Sequence, residues 1–283
     1  MEILEDKFKV TTGTDGQKTL LFDTDIAKER CDFILKTSIK RISLYPGVYK
    51  EKDLKPLLPI KTHIEGIFLL EIDYTNLDKF TNLHYLSAVD NKKDIIDLAN
   101  YPKLESLCCN ITNRLVGLEK CNKLVTLFIN SHKPLTKDLS LLPKLNSLRQ
   151  LGIFQSNIES LNGIQHFENL NKLQLYGLSK LEKIEALKRL SNSLYEIEIE
   201  KCKNINDYET IGEIENLQKI IVSESGVINS LSFISSLSNL NFISFWGTNI
   251  IDGNLAYCDR INYVGFDNKR HYNRKIGDFK NSK

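Results

Sequence analysis

A chain of 283 residues that is 41% hydrophobic can bury a large apolar core, and its 38 Lys and Arg against 36 Asp and Glu leave a formal charge of +2. That balance excludes a global field that would recruit nucleic acid or an anionic membrane, so any electrostatic preference has to be local. No apolar run reaches the roughly 20 residues of a membrane helix, and Met1 to Val10 carries Glu2, Glu5 and Asp6 where a secretory signal needs a basic start and an apolar run. The expected location is cytoplasmic.

In chain order, Thr14-Asp15-Gly16-Gln17 lies between two β-leaning runs from Phe8 to Phe22. Asp-Gly tolerates the positive φ of a tight turn, so a hairpin is expected. Asp23, Thr24 and Asp25 then offer N-cap oxygens ahead of a helix over Ile26 to Lys36, with Ala27, Cys31, Ile34 and Leu35 on one face. Residues 1–38 should form a cap, because the terminal copy of a stacked array must have its apolar edge covered.

From Ile39 the chain is built of copies, and Leu148 to Leu170, LRQLGIFQSNIESLNGIQHFENL, is the clearest. Leu148, Leu151 and Ile153 follow L-x-x-L-x-L; Ile158, Leu161, Ile164 and Phe167 return at nearly regular steps before Leu170 opens the next copy. A strand sends Leu151 and Ile153 to one side, and the return arm drops an apolar residue inward about every third position. This is the signature of a leucine-rich repeat. The strand positions are Ile39, Ile42 and Leu44; Ile67, Leu70 and Ile72; Leu83, Leu86 and Ala88; Leu104, Leu107 and Cys109; and Leu124, Leu127 and Ile129. They continue as Leu148, Leu151 and Ile153; Leu170, Leu173 and Leu175; Leu194, Ile197 and Ile199; Leu217, Ile220 and Val222; Leu240, Ile243 and Phe245; and Ile261, Val264 and Phe266.

The expected fold is therefore an α/β repeat solenoid over residues 39–266. About eleven parallel strands should line the concave side of an arc, with 3₁₀ turns or short helices on the convex side. An insertion near Lys133 to Leu142 lengthens one return arm. Residues 267–283 leave the register and form a basic tail, whose expected state is a frayed end.

Six cysteines, Cys31, Cys108, Cys109, Cys121, Cys202 and Cys258, fall at repeat positions and not in a disulfide or C-x-x-C pattern. They read as reduced core residues, Cys202 at the turn. The histidines His63, His84, His132, His166 and His271 are scattered, and no phosphate-binding loop or nucleophile elbow occurs. Neither a metal nor a cofactor is expected, and the chain is expected not to be an enzyme.

The candidate site is the concave face, where no packing requirement makes residues apolar. Tyr85, Phe128, Phe154, Tyr176, Phe242, Trp246 and Tyr263 fall there, alongside Gln150, Gln174, Lys172 and Lys219. Exposed aromatics suit protein hot spots, although aromatic rungs between repeats also stabilise neighbouring strands. Glu196, Glu198 and Glu200 alternate with Ile197 and Ile199 and should share one patch, answered by Lys172, Lys201 and Lys219 or by a basic partner. Glu71 and Asp73 form a smaller acidic spot beside Tyr74.

The L-x-x-L-x-L strands, short return arms and period near 22 from about Ile39 to Phe266 resemble bacterial leucine-rich repeat proteins of the internalin type. Thr248-Asn249-Ile250-Ile251-Asp252-Gly253 and Phe266-Asp267-Asn268-Lys269-Arg270-His271-Tyr272 are similar to segments of a soluble, uncharacterised subgroup of that type. The resemblance implies the fold and a bacterial origin. Without a signal, an immunoglobulin-like module or a wall anchor in this sequence, a surface adhesin is disfavoured, and so is a ubiquitin-ligase effector, for want of a catalytic domain. The expected function is a non-enzymatic protein-binding scaffold, monomeric when free and in its specific form an immunity-type inhibitor of a cognate protein toxin. The alternative is a bacterial effector or adhesin that binds a host protein.

Overall fold

The computed structural model describes residues 8–13, 15–89 and 94–279. The signal-peptide expectation rests on Met1 to Lys7, outside these residues save for Phe8 to Val10; Thr14 of the hairpin turn and the last four residues of the basic tail also lie outside them. The chain divides into two compact units, Met1–Leu127 and Phe128–Lys283.

In the first unit, β1 (Val10–Thr12) and β2 (Lys18–Leu21) pair antiparallel, with Val10 opposite Leu20. Gly16 takes a φ of +74° in the turn, a conformation that costs glycine little. The Asp23 carboxylate then accepts from the Asp25 amide ahead of α1 (Ala27–Lys36). The buried face of α1 is Arg30, Cys31, Phe33 and Ile34, and Leu35, expected inward, is 52% exposed. Arg30 takes its place in the interior because its guanidinium donates to the Phe8 carbonyl at 2.6 Å and also to that of Leu21. These bonds pair one nitrogen of the buried cation, as burial of a charge requires, while its Nε has no hydrogen-bond partner among the described residues.

Beyond α1, the parallel strands β3 (Arg41–Leu44), β4 (Gly66–Leu70), β5 (Tyr85–Val89) and β7 (Ser106–Cys109) follow β2 in order. Between them β6 (Ile96–Asp97) pairs with β8 (Leu115–Val116). Ile42, Ile67, Leu86 and Leu107 form one in-register buried rung. The second repeat departs from the sequence expectation: its inward residues are Ile64, Ile67 and Leu69, whereas Leu70 is 40% exposed. The run Ile64 to Ile72 offers overlapping apolar triplets, and only pairing with β3 and β5 selects among them.

Strand β9 (Thr126–Asn130) spans the division between the units. In the second unit β10 (Gln150–Phe154), β11 (Lys172–Tyr176), β12 (Glu196–Glu200), β13 (Lys219–Ser223), β15 (Phe242–Ser244) and β17 (Tyr263–Gly265) pair parallel in that order. The small strands β14 (Val227–Ile228) and β16 (Asn249–Ile250) pair with each other. Among the described residues, eleven strands carry the repeat. Leu151, Leu173, Ile197, Ile220, Ile243 and Val264 form a continuous buried rung. The return arms are short 3₁₀ helices, among them Ile164–His166, Glu185–Leu190, Tyr208–Glu213 and Ser232–Ser236. Three residues per turn brings every third side chain to the same side, which suits the spacing of the inward residues.

Strands β10, β11, β12 and β13 are each followed directly by a left-handed residue, Gln155, Gly177, Lys201 and Glu224, and Gly247 takes the same place three residues beyond β15, with φ between +50° and +68°. The next residue turns into the core, as Ser156, Leu178, Cys202, Ser225 and Thr248, all buried. Buried backbone groups must be paired, and side chains here do the pairing. Ser225 Oγ accepts from the Cys202 amide at 3.2 Å, Thr248 Oγ1 accepts from the Ser225 amide at 3.1 Å, and Ser156 Oγ donates to the His132 carbonyl at 2.6 Å.

The insertion returns to the core through Leu139, whose amide donates to the Asn162 carbonyl at 2.7 Å, and leaves Leu135 96% exposed. From Asp267 to Phe279 the chain packs back on the last rung instead of fraying. Tyr272 and Phe279 present edges to the Phe266 ring at 5.9 and 5.8 Å, and Tyr272 Oη accepts from the Ile250 amide at 3.0 Å. Asn273 Oδ1 accepts from the Leu255 amide, and the Arg274 guanidinium grips Asp259 at 2.8 and 3.0 Å. The last rung has no following copy, so its apolar edge recruits these residues.

Gly163 has a φ of +94°, and a Cβ there would sit 2.3 Å from the Leu139 carbonyl carbon. Gly163→Ala should therefore lower unfolding stability by about 2 kcal/mol or more, seen as a fall in Tm. For Leu151→Ala, which empties the centre of the buried rung, thermal or denaturant melts should show a loss of about 2–5 kcal/mol.

Candidate functional site

Alternation along each strand sends one set of side chains to the core and the other to the open sheet face. In the second unit that face has three rows. Gln150, Lys172, Glu196, Lys219, Phe242 and Tyr263 form the first, and Gly152, Gln174, Glu198, Ile221, Ser244 and Gly265 the second. Phe154, Tyr176, Glu200 and Ser223 form the third, with Trp246 after the end of β15.

The carboxylates lie within a bonded network. Lys172 Nζ is 3.0 Å from both Glu196 and Glu198, and Lys219 Nζ is 2.8 Å from Glu196. Gln150 donates to Gln174 at 2.9 Å, and Gln174 donates in turn to Glu198. Lys201 lies 3.4 Å from Glu200 and donates to the Tyr176 hydroxyl at 2.9 Å. Partial burial pushes the Glu196 carboxyl up, but the ammonium groups of Lys219 and Lys172, which donate to it, outweigh that and hold the group down at about 2.

Glycines make room for the aromatic rings. A Cβ on Gly152 would lie 2.5 Å from Phe128 and 2.7 Å from Phe154, so these two rings lie over the sheet at that strand. Phe128 meets Phe154 edge-on at 5.8 Å, and Phe154 meets Tyr176 at 6.3 Å. Phe242 stacks on Tyr263 at 4.3 Å, with Lys219 Nζ 5.2 Å from the Phe242 ring. Trp246 is 43% exposed and lies over Gly265. Sequence reasoning did not single out Gly152, Gly265 or Ile221, since a glycine gives no sign of what lies above it and Ile221 sits in a continuous apolar run.

In the first unit the open face holds Tyr85 against Phe68 at 4.3 Å, with the Arg41 guanidinium 5.5 Å from the Tyr85 ring. Phe68 was hidden by the register slip of its strand. Burial pushes the Tyr85 hydroxyl up to about 12. Tyr74, expected beside an acidic surface spot, is buried, and its hydroxyl donates to the Val89 carbonyl at 2.9 Å. Cys108 is half-buried on the open face while Cys109 is in the core, where burial pushes its thiol up.

Parallel in-register strands, 3₁₀ return arms and a repeating inward triplet together define the architecture. It is a leucine-rich repeat solenoid. Among solved structures the chain is similar to an internalin of Listeria monocytogenes, at 18% identity over 82% of this chain and 81% of that one, with a TM-score of 0.44. It is similar also to a leucine-rich repeat protein of Leptospira interrogans, at 14% identity over 81% and 78% with a TM-score of 0.39. A third is the functional domain of another Listeria monocytogenes internalin, which includes a cysteine ladder, at 15% identity over 80% and 58% with a TM-score of 0.42. No family model and no curated protein matches the chain. No helix among the described residues is long and apolar enough to cross a membrane.

The charge network has a pH signature. The Glu196 carboxyl in the folded solenoid sits below its ordinary 4.5, so its contribution to stability is complete above pH 4.5 and is lost as pH falls toward 2. Glu196→Gln should flatten the dependence of Tm on pH across that window, as followed by thermal melts; an unaltered slope would show that the network adds nothing to folding.

Proposed function

We propose that this solenoid is a non-enzymatic protein-binding scaffold that uses the open sheet face. The observation that carries the proposal is the division of labour on that face. Glu196 and Glu198 are held by Lys172 and Lys219, whereas the aromatics Phe128, Phe154, Tyr176, Phe242, Trp246 and Tyr263 have no place in the core. Tyr and Trp give large contact area at small entropic cost, the usual composition of a hot spot. Titratable groups bonded to one another favour recognition over catalysis. Six cysteines without a disulfide suit a reducing, cytoplasmic setting.

The more specific form is an immunity-type inhibitor. Gln150, Lys172, Glu196, Glu198 and Glu200 would add to the surface of the second unit, and Tyr85 is the corresponding candidate on the first unit taken by itself. Such an interface needs about 800 Å² on each partner.

Affinity capture with the wild-type protein, followed by binding measurements on the captured partner, tests this. Trp246→Ala should weaken binding by about 1 kcal/mol or more with little change in Tm. Phe154→Ala should weaken it too, at a stability cost of about 0.5–1.5 kcal/mol from its lost ring contacts. Undiminished affinity in both variants would place the binding surface elsewhere.

A further inference from the structure

Three rings on the open face already have a cation. Arg41 lies 5.5 Å from the Tyr85 ring, Lys201 Nζ 5.0 Å from Tyr176 and Lys219 Nζ 5.2 Å from Phe242. Trp246 differs. Among the described residues it has neither a ring partner nor a cation, and its indole N–H donates to no protein acceptor. Indole has the best face of the three aromatic types for a cation, and this one is 43% exposed.

The surroundings of Trp246 are anionic and shaped. Beneath it is Gly265, where a Cβ would lie 3.0 Å from the indole Nε1 and 3.1 Å from Tyr263. Next to Trp246 in the chain, the Gly247 amide donates to Asp267, which uses a single oxygen, Oδ2, at 2.8 Å. The Glu224 stem packs against the same glycine, and the Glu224 amide donates to the Trp246 carbonyl at 2.9 Å. The Glu224 carboxylate is 3.8 Å from Lys201, and its side chain is 58% exposed. Lys201 lies nearer to Tyr176 and Glu200 than to Glu224, and the other cations are engaged elsewhere, Lys219 with Glu196 and Lys269 with Asn249.

We infer that Trp246, flanked by Glu224 and Asp267, receives a basic side chain of the protein partner, an arginine in preference to a lysine. This rests on the open face being the binding surface. A planar guanidinium can stack on the indole and still direct N–H groups at both carboxylates, which a lysine ammonium on its flexible stem does less well.

A random peptide library displayed on phage and selected against the intact protein tests the inference, with the single tryptophan of the chain as a fluorescent reporter of this one site. Selected peptides should lose binding to Trp246→Ala and share a basic residue. Replacing that residue by citrulline, which keeps the shape without the charge, should weaken binding about tenfold. The double variant Glu224→Gln, Asp267→Asn should weaken the basic peptide by a similar factor and leave the citrulline peptide unaffected. Asn at 267 keeps an acceptor for the Gly247 amide, and a melt checks folding; if the double variant does not fold, the citrulline comparison decides alone. Trp246-dependent peptides without a basic residue, or a basic peptide indifferent to the double variant and to citrulline, would overturn this inference and leave the binding surface standing. An empty selection, or peptides insensitive to Trp246→Ala, Phe154→Ala and Tyr263→Ala alike, would overturn both.

Discussion

In-register stacking of apolar rungs is the constraint on which everything else in this protein depends. A single copy such as Leu148 to Leu170 exposes its inward residues above and below, and burial of a Leu or Ile side chain stabilises by only about 1.5–3 kcal/mol. Ordering each backbone residue costs about 1–2 kcal/mol. Only when Leu151, Leu173, Ile197, Ile220, Ile243 and Val264 cover one another does the gain outrun that cost. An apolar edge left by stacking also needs covering: in the second unit Tyr272 and Phe279 order against Phe266, and in the first α1 packs with Arg30 bonded to the Phe8 carbonyl.

The same register that fills the core dictates what the open face can present. Parallel pairing puts equivalent positions side by side, so on β12 Glu196 lies between Lys172 of β11 and Lys219 of β13, Glu198 beside Gln174 and Glu200 beside Tyr176. All three glutamates are ion-paired within the protein, and the surface that remains is largely aromatic. Glycines at Gly152 and Gly265 matter here as spaces: each is where a neighbouring ring lies against the sheet.

Left-handed residues after the strands show a local cost accepted for a repeated gain. Gln155, Lys201 and Glu224 adopt positive φ, which disfavours a side chain by roughly 1–2 kcal/mol. In return the following residue drops inward, where Ser156, Ser225 and Thr248 satisfy backbone groups that the turn buries. The turn also brings Glu224 beside the Trp246 backbone, so the bend that closes the core positions a charge at the edge of the open face.

Periodicity in the sequence by itself determined the repeat, the inward triplets of ten of the eleven strands, the 3₁₀ character of the arms and the sharing of one patch by Glu196, Glu198 and Glu200, because side-chain direction in a strand follows from alternation alone. It could not decide where apolar residues run together without a break. The triplet Ile64, Ile67 and Leu69 was chosen over its neighbours by pairing, and with it Phe68 moved to the open face. Nor could it decide which partner a side chain would find across strands some 22 residues apart. The pairing of Glu196 with Lys172 and Lys219, the anchoring of the segment after Phe266, and the isolation of Trp246 among paired rings are decided by distances between repeats, which only the tertiary structure sets.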